Sequence, residues 1–172
     1  LGLDFSQALL DVAKNSVWDA PNVAYACADF ADSAWDRQLP TTSYDLIFSF
    51  AVFHHLPGKK LRQKTIKKIA SHMKPGGQFI HSHWQFLNSA KLQARIQPWS
   101  VIGLNAAQVD EGDYLLDWRR GGYGLRYIHH TSVNELESLA AETGFRVIDC
   151  FYSDGAEGNL GLYQIWEKHP NF

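Results

Sequence analysis

Cysteine is scarce in this chain. Only Cys27 and Cys150 occur in 172 residues, each inside an apolar run, and neither has the CxxC spacing of metal or redox chemistry. That argues against a disulfide framework or a thiolate site, and two free, buried thiols are expected instead. Long apolar runs are also missing: no stretch approaches the roughly 20 residues that cross a bilayer. Asp4 interrupts the opening residues and no basic segment precedes an apolar one, so no secretory leader is read and a cytoplasmic protein is expected. Acids are absent from residues 46–100, which carry nine bases and a net +9, while residues 1–45 carry −5 and residues 101–172 carry −6. Seven of those bases (Lys59, Lys60, Arg62, Lys64, Lys67, Lys68 and Lys74) fall within sixteen residues. They form either a solvated helix face or a surface that attracts a phosphate backbone. What remains is an ordinary globular composition, 45% apolar and 20% charged, in a length that suits one domain with a buried core.

Strands and helices alternate. LGLD (1–4) reads as a strand end, and residues 5–16 as a helix capped by Ser6. NVAYACAD (22–29) is a second strand, and YDLIFSFAVF (44–53) a third, apolar enough to be covered on both faces. Residues 59–73 place Leu61, Thr65, Ile66, Ile69, Ala70 and Met73 on one helical face, with lysines elsewhere. Pro75-Gly76-Gly77 stops that helix before a fourth strand, QFIHSHW (78–84). Residues 132–144 form a helix with Ser132 and Glu135 as a capping box, followed by two strands joined by the turn SDGAEGN. Residues 86–131 have no strong period and are expected to hold short helices and loops. The pattern predicts an open, doubly wound α/β sheet closed by an antiparallel hairpin. Ligands bind such sheets at the carboxyl ends of the strands, which here hold Asp4, Asp29 and Phe53-His54-His55. An acid in the place of Asp4 suits ribose hydroxyls, and Asp29-Phe30 could hold and flank an adenine, although either acid alone is equally an ordinary cap or loop residue.

Taken in order, LGLDFSQALLDVA, ACADFADSAWDRQLP, YDLIFSFAVFHHLP and MKPGGQFI resemble four successive motifs of the class I S-adenosylmethionine-dependent methyltransferases. The resemblance implies a Rossmann-like fold with S-adenosyl-L-methionine as cofactor. It places Asp4 and Phe5 at the ribose, Asp29 and Phe30 at the adenine, and Ser49, Phe50 and Ala51 at the methyl-donor pocket. It also implies a strand and a GxGxG-type turn ahead of Leu1. No other stretch supplies that turn, so the chain reads as an N-terminally truncated methyltransferase domain, 1–172, with an irregular substrate-side insertion at about 86–131. The family strand order, 3-2-1-4-5-7-6, makes the missing strand the central one, and weak cofactor binding by these residues alone is expected. GDYLLDW (112–118), RYIHH (126–130) and the helix after it resemble the tRNA wobble-uridine carboxymethyl methyltransferases, which implies tRNA as partner. A small-molecule acceptor is the alternative, and a non-catalytic scaffold a third reading.

A sulfonium methyl is already activated, so the protein has mainly to desolvate and align the nucleophile. A carboxylate acceptor is ionised at neutral pH and needs a cation, for which Arg suits best; Arg119, Arg120 and Arg126 are the candidates. A hydroxyl or amine would call for a base such as His54 or His55. Side chains alternate along a strand, so one histidine is expected at the cleft and the other against the sheet, with His54 at the acceptor and His55 packing. The residues assigned to catalysis are His54, Arg120 and Arg126. His81 and His83 share one side of a strand, but no carboxylate or cysteine is spaced to complete a metal site, and none is assigned.

Overall fold

A Cβ on Gly2 would stand 2.9 Å from the Tyr25 ring, so glycine there lets strand β1 (Gly2–Asp4) lie against strand β2 (Tyr25–Cys27). The two pair in parallel, with Asp4 opposite Cys27. Between them runs α1 (Gln7–Lys14), capped by the Ser6 side chain accepting from the Leu9 amide, as the sequence predicts. These elements belong to the first of two compact units, residues 1–42 and 43–172. The computed structural model describes residues 1–16, 22–37, 39–40, 43–119 and 121–170.

The second unit begins with β3 (Tyr44–Phe50), a 3-10 turn at Phe53–His55, α2 (Lys59–Ser71) and β4 (Met73–Trp84). Next come α3 (Ala90–Gln93), β5 (Ile96–Gln97), β6 (Asp113–Trp118) and β7 (Gly124–His129). It closes with α4 (Val133–Glu142), β8 (Phe145–Ser153) and β9 (Gly161–Lys168). The main sheet has the order β3-β4-β9-β8, with β3 and β4 parallel and the other two pairings antiparallel. Register slips between Tyr44 and Leu46, where Gly77 passes so close that a Cβ would meet three carbonyl oxygens at 3.0–3.2 Å. Phe79 sits at the centre of the core, with the rings of Phe53, Phe145 and Trp166 about it at centroid distances of 5.9–6.0 Å. All four rings are at most 5% exposed, each worth roughly 1.5–3 kcal/mol of burial.

Several expectations are revised. Residues 86–131 do contain short helices, but also a separate antiparallel sheet, β5-β6-β7, in which strand length is too short for a clear sequence period. Strand β3 stops at Phe50 and is not covered on both faces: Leu46, Phe48 and Phe50 are 43–55% exposed. Both cysteines are free, as expected, yet exposed rather than buried. Helix α2 buries Thr65, Ile66, Ile69 and Ala70 as its pattern requires, but Arg62 joins them and Met73 belongs to β4. The α4 cap is half a capping box: Ser132 accepts from the Glu135 amide, while the Glu135 side chain is drawn away to Arg62 and His129. Among the described residues no helix is long and apolar enough to cross a membrane.

Candidate active site

In the second unit a cavity of about 280 Å³ opens at the carboxyl end of β3 and β4. Ala51, His54 and His55 line it from the segment after β3, and Ser82, His83 and Trp84 from β4. Trp118 and Arg126 come from β6 and β7, and Asp154 from the β8–β9 turn. The chain enters this site through Ala51, a non-glycine residue at φ 56°, whose amide donates to both the carbonyl and the hydroxyl of Ser82 at 3.2 Å. Left-handed backbone at alanine costs roughly 1–2 kcal/mol, and here it turns the strand out into the His54-His55 turn.

That turn removes the strand alternation on which the separation of the two histidines was predicated: His54 and His55 sit in a 3-10 turn, and both line the cavity. Their rings meet edge to face at 4.3 Å. The hydrogen bonds fix their protonation differently. His54 Nδ1 accepts from the Trp84 backbone amide at 3.2 Å, so in the neutral ring the proton is on Nε2. His55 Nδ1 lies 3.3 Å from the Tyr127 carbonyl, an acceptor only, so there the proton is on Nδ1 and Nε2 keeps its lone pair. Burial, followed by the charges of His55, His83 and Arg126, pushes His54 down to about 2. His55 is lowered as well, again first by burial.

Arg126 is half-buried, with its guanidinium 4.0 Å from the centre of the Trp118 ring. No carboxylate among the described residues lies within ion-pair distance of it. Arg119 instead binds Asp117 at 2.6 and 3.0 Å and does not line the cavity. Arg120, the other assigned arginine, lies outside the described residues.

Strand β7 is anchored from its other face. Tyr127 Oη donates to Asp113 at 2.6 Å, and His129 lies between Asp113 at 2.7 Å and Glu135 at 2.9 Å. Glu135 meets Arg62 at 3.3 Å, and Arg62 donates to the Leu56 carbonyl at 3.1 Å. Burial alone would raise Glu135, but His129 and Arg62 outweigh it and hold the carboxyl below its ordinary range. The Tyr127 hydroxyl is pushed up by burial and by Asp113. His83 of the cavity wall shares a hydrogen bond through Nε2 with His81 Nδ1 at 2.9 Å, and both rings are almost fully buried. Desolvation takes His81 down to about 3 and His83 well below its usual value.

The residues assigned to a cofactor fall in both units. In the first, Asp4 and Asp29 both lie at the carboxyl end of the parallel pair β1-β2. One oxygen of each accepts a backbone amide two residues on, from Ser6 at 2.7 Å and Ala31 at 2.9 Å, and the second oxygen has no hydrogen-bond partner among the described residues. Phe5 is 74% exposed, and Phe30 meets Trp35 edge to face. In the second, the Ser49 hydroxyl is buried without a partner, Phe50 is 52% exposed, and Ala51 lines the cavity. Sequence reasoning missed Ser82, His83, Trp84, Trp118 and Asp154 as cavity residues; only the GDYLLDW and HSHW segments, which contain four of them, carried a signal.

Residues 1–79 match the sequence family described as methyltransferase domain. A protein of Encephalitozoon cuniculi that carries the name methyltransferase is 32% identical over 126 residues, 73% of this chain and 53% of that protein. The chain is similar to methyltransferases in sequence and shares the Rossmann-like fold of solved S-adenosylmethionine-dependent methyltransferases. A ubiquinone biosynthesis O-methyltransferase of Coxiella burnetii is 28% identical over 163 residues, 87% of this chain and 66% of the relative. The crystal structure of an S-adenosylmethionine-dependent methyltransferase from Methanosarcina mazei superposes with a TM-score of 0.70 at 19% identity, over 98% of this chain and 81% of that one. The family order pairs its second strand with its third and runs 4-5-7-6; the pair β1-β2 and the sheet β3-β4-β9-β8 reproduce those two pairings, each within its own unit. The chain spans about half to two thirds of the length of these curated relatives, 53% and 66%. Neither the family description nor these relatives single out the tRNA wobble-uridine group.

Proposed function

We propose that the protein carrying this chain transfers the methyl group of S-adenosylmethionine to an oxygen acceptor that is anionic as it reacts. The observation that carries this reading is Arg126: a half-buried guanidinium in the cavity wall, 4.0 Å from the centre of the Trp118 ring and without a carboxylate partner among the described residues. A cation kept there without a partner suits an anionic ligand and repels an ammonium. His54 adds an Nε2–H donor to the same cavity. A scaffold with no ligand would gain nothing from a half-buried arginine that has no carboxylate partner among the described residues.

The residues present fit the cofactor. Asp4 and Asp29 each keep one carboxylate oxygen for hydroxyl or amine hydrogens, and Ser49 keeps a buried hydroxyl that has no protein partner. On the first unit Asp4 and Phe5 are assigned to the ribose and Asp29 with Phe30 to the adenine; on the second, Ser49, Phe50 and Ala51 are assigned to the methyl-donor side. When bound, the cofactor supplies an activated sulfonium methyl. This chain's part is to exclude water, hold the acceptor oxygen through Arg126 and His54, and stabilise its negative charge.

Two acceptors satisfy that description. A small-molecule phenol or other acidic hydroxyl is in keeping with the cavity volume of about 280 Å³. The carboxylate of a modified tRNA wobble uridine is the second reading, favoured by the exposed lysines Lys60, Lys64 and Lys67 along α2 and by the GDYLLDW and RYIHH segments. The test is methyl transfer from labelled S-adenosylmethionine by the full-length protein to bulk tRNA and to a panel of phenols. Carboxylate methylation gives a base-labile ester and phenol methylation a base-stable ether. Arg126→Met should lower transfer by roughly 10- to 100-fold, the worth of a charge-assisted hydrogen bond. Product methylated only on nitrogen, or an Arg126→Met variant of full activity, would sink the reading.

A further inference from the structure

We infer that His54 and His55 form a fixed donor–acceptor pair, and that His55 Nε2 is the base that takes the proton of an acceptor arriving as a hydroxyl. The inference rests on the oxygen-acceptor reading above and narrows its substrate class to phenols and comparably acidic hydroxyls.

The argument starts from two hydrogen bonds. A backbone amide can only donate, so Trp84 requires a lone pair on His54 Nδ1 and puts the neutral ring's hydrogen on Nε2. A carbonyl can only accept, so Tyr127 requires a hydrogen on His55 Nδ1 and leaves the lone pair on Nε2. Adjacent histidines thus hold opposite tautomers on one cavity wall. A hydroxyl oxygen matches both at once: it accepts from His54 Nε2–H and donates its own hydrogen to His55 Nε2. A carboxylate has no hydrogen to donate and would face the His55 lone pair with one of its own. His54 cannot serve as the base while its Nδ1 holds the Trp84 amide, because protonating Nε2 again is impossible.

The charged and titratable groups around His55 suit this role. His54 is its neighbour on the same turn; Arg126 comes from β7, His83 from β4 and Asp154 from the β8–β9 turn. Burial first, and then the charge of Arg126, disfavours protonation of His55 before the acceptor binds, and Arg126 then faces the developing oxyanion. As the acceptor oxygen takes the methyl of the sulfonium donor, its O–H bond breaks and the proton passes to His55 Nε2. The electron pair of the broken carbon–sulfur bond stays on sulfur, and the imidazolium later returns the proton to solvent. The Tyr127 carbonyl favours that cation, since its hydrogen bond from Nδ1 strengthens with positive charge.

The experiment uses the full-length protein without a methyl donor. Two-bond nitrogen–proton NMR on the histidine rings should find His54 protonated at Nε2 and His55 at Nδ1. A hydrogen on His54 Nδ1, or on His55 Nε2 alone, overturns the inference. Next, 4-nitrophenol is bound at slightly acidic pH and its phenolate absorbance read, with benzoate as a probe that brings no proton. Binding should raise the phenolate fraction roughly tenfold, a shift of one pKa unit. His55→Asn should abolish that rise while leaving benzoate binding in place, and Arg126→Met should weaken both probes. If Arg126→Met weakens both but His55→Asn leaves the phenolate signal intact, the inference fails and the acceptor site stands. If Arg126→Met changes neither, or neither probe binds, the acceptor-site reading fails, and the ring protonation measurement still decides the histidine pair.

Discussion

Acid should unfold this protein through its buried histidines. His54, His81 and His83 are 1–3% exposed, and burial lowers all three: His54 to about 2, His81 to about 3, His83 well below 6.5. The folded state therefore keeps them neutral, whereas the unfolded chain takes up protons below the ordinary value of 6.5. Stability is fully present above 6.5 and is lost as pH falls toward the lowered folded values. Between about pH 7 and about pH 5 His54 and His81 each remove about 2 kcal/mol, about 4 kcal/mol together, and His83 acts in the same direction. That is much of the roughly 5–15 kcal/mol by which a domain is stable. Chemical denaturation followed by circular dichroism across this range should show a limiting slope of about 4 kcal/mol per pH unit on the acid side. The double replacement His81→Leu with His83→Leu removes two of these rings and should lower the slope by about 3 kcal/mol per unit. A pH-independent stability in the parent, or equal slopes in parent and double variant, would refute the reasoning.

Two further outcomes follow from the same geometry. Glu135→Gln leaves Arg62, whose side chain is 3% exposed, without its acid, and should destabilise the protein by about 3–5 kcal/mol in denaturant titrations; a loss below about 1 kcal/mol would mean the pair is dispensable. If the tRNA reading holds, Lys60→Glu with Lys64→Glu should weaken tRNA binding and flatten its logarithmic salt dependence by roughly 2, whereas unchanged binding leaves α2 a solvated face.

Outside residues 86–131 the sequence by itself determined the elements and their chain order, because periodicity and caps are local properties. Ser6 and Ser132 cap the helices they precede, and the strand containing His81 and His83 and the terminal hairpin appear where their patterns place them. It also nominated Arg126 and the His54-His55 pair. Tertiary structure decided what those residues can do. Arg62 and Arg126 each follow a leucine in sequence, yet one lies buried against Glu135 and the other has no acid within ion-pair distance among the described residues, and that difference is set by strands and helices distant in sequence. Opposite protonation of His54 and His55 depends on an amide at residue 84 and a carbonyl at residue 127, groups every residue possesses and no sequence pattern marks. The three short strands β5, β6 and β7 escaped periodicity because their stability comes from pairing with each other rather than from a pattern within any one of them. Local chemistry is written residue by residue; proton positions and unpaired charge emerge only when separate segments are brought together.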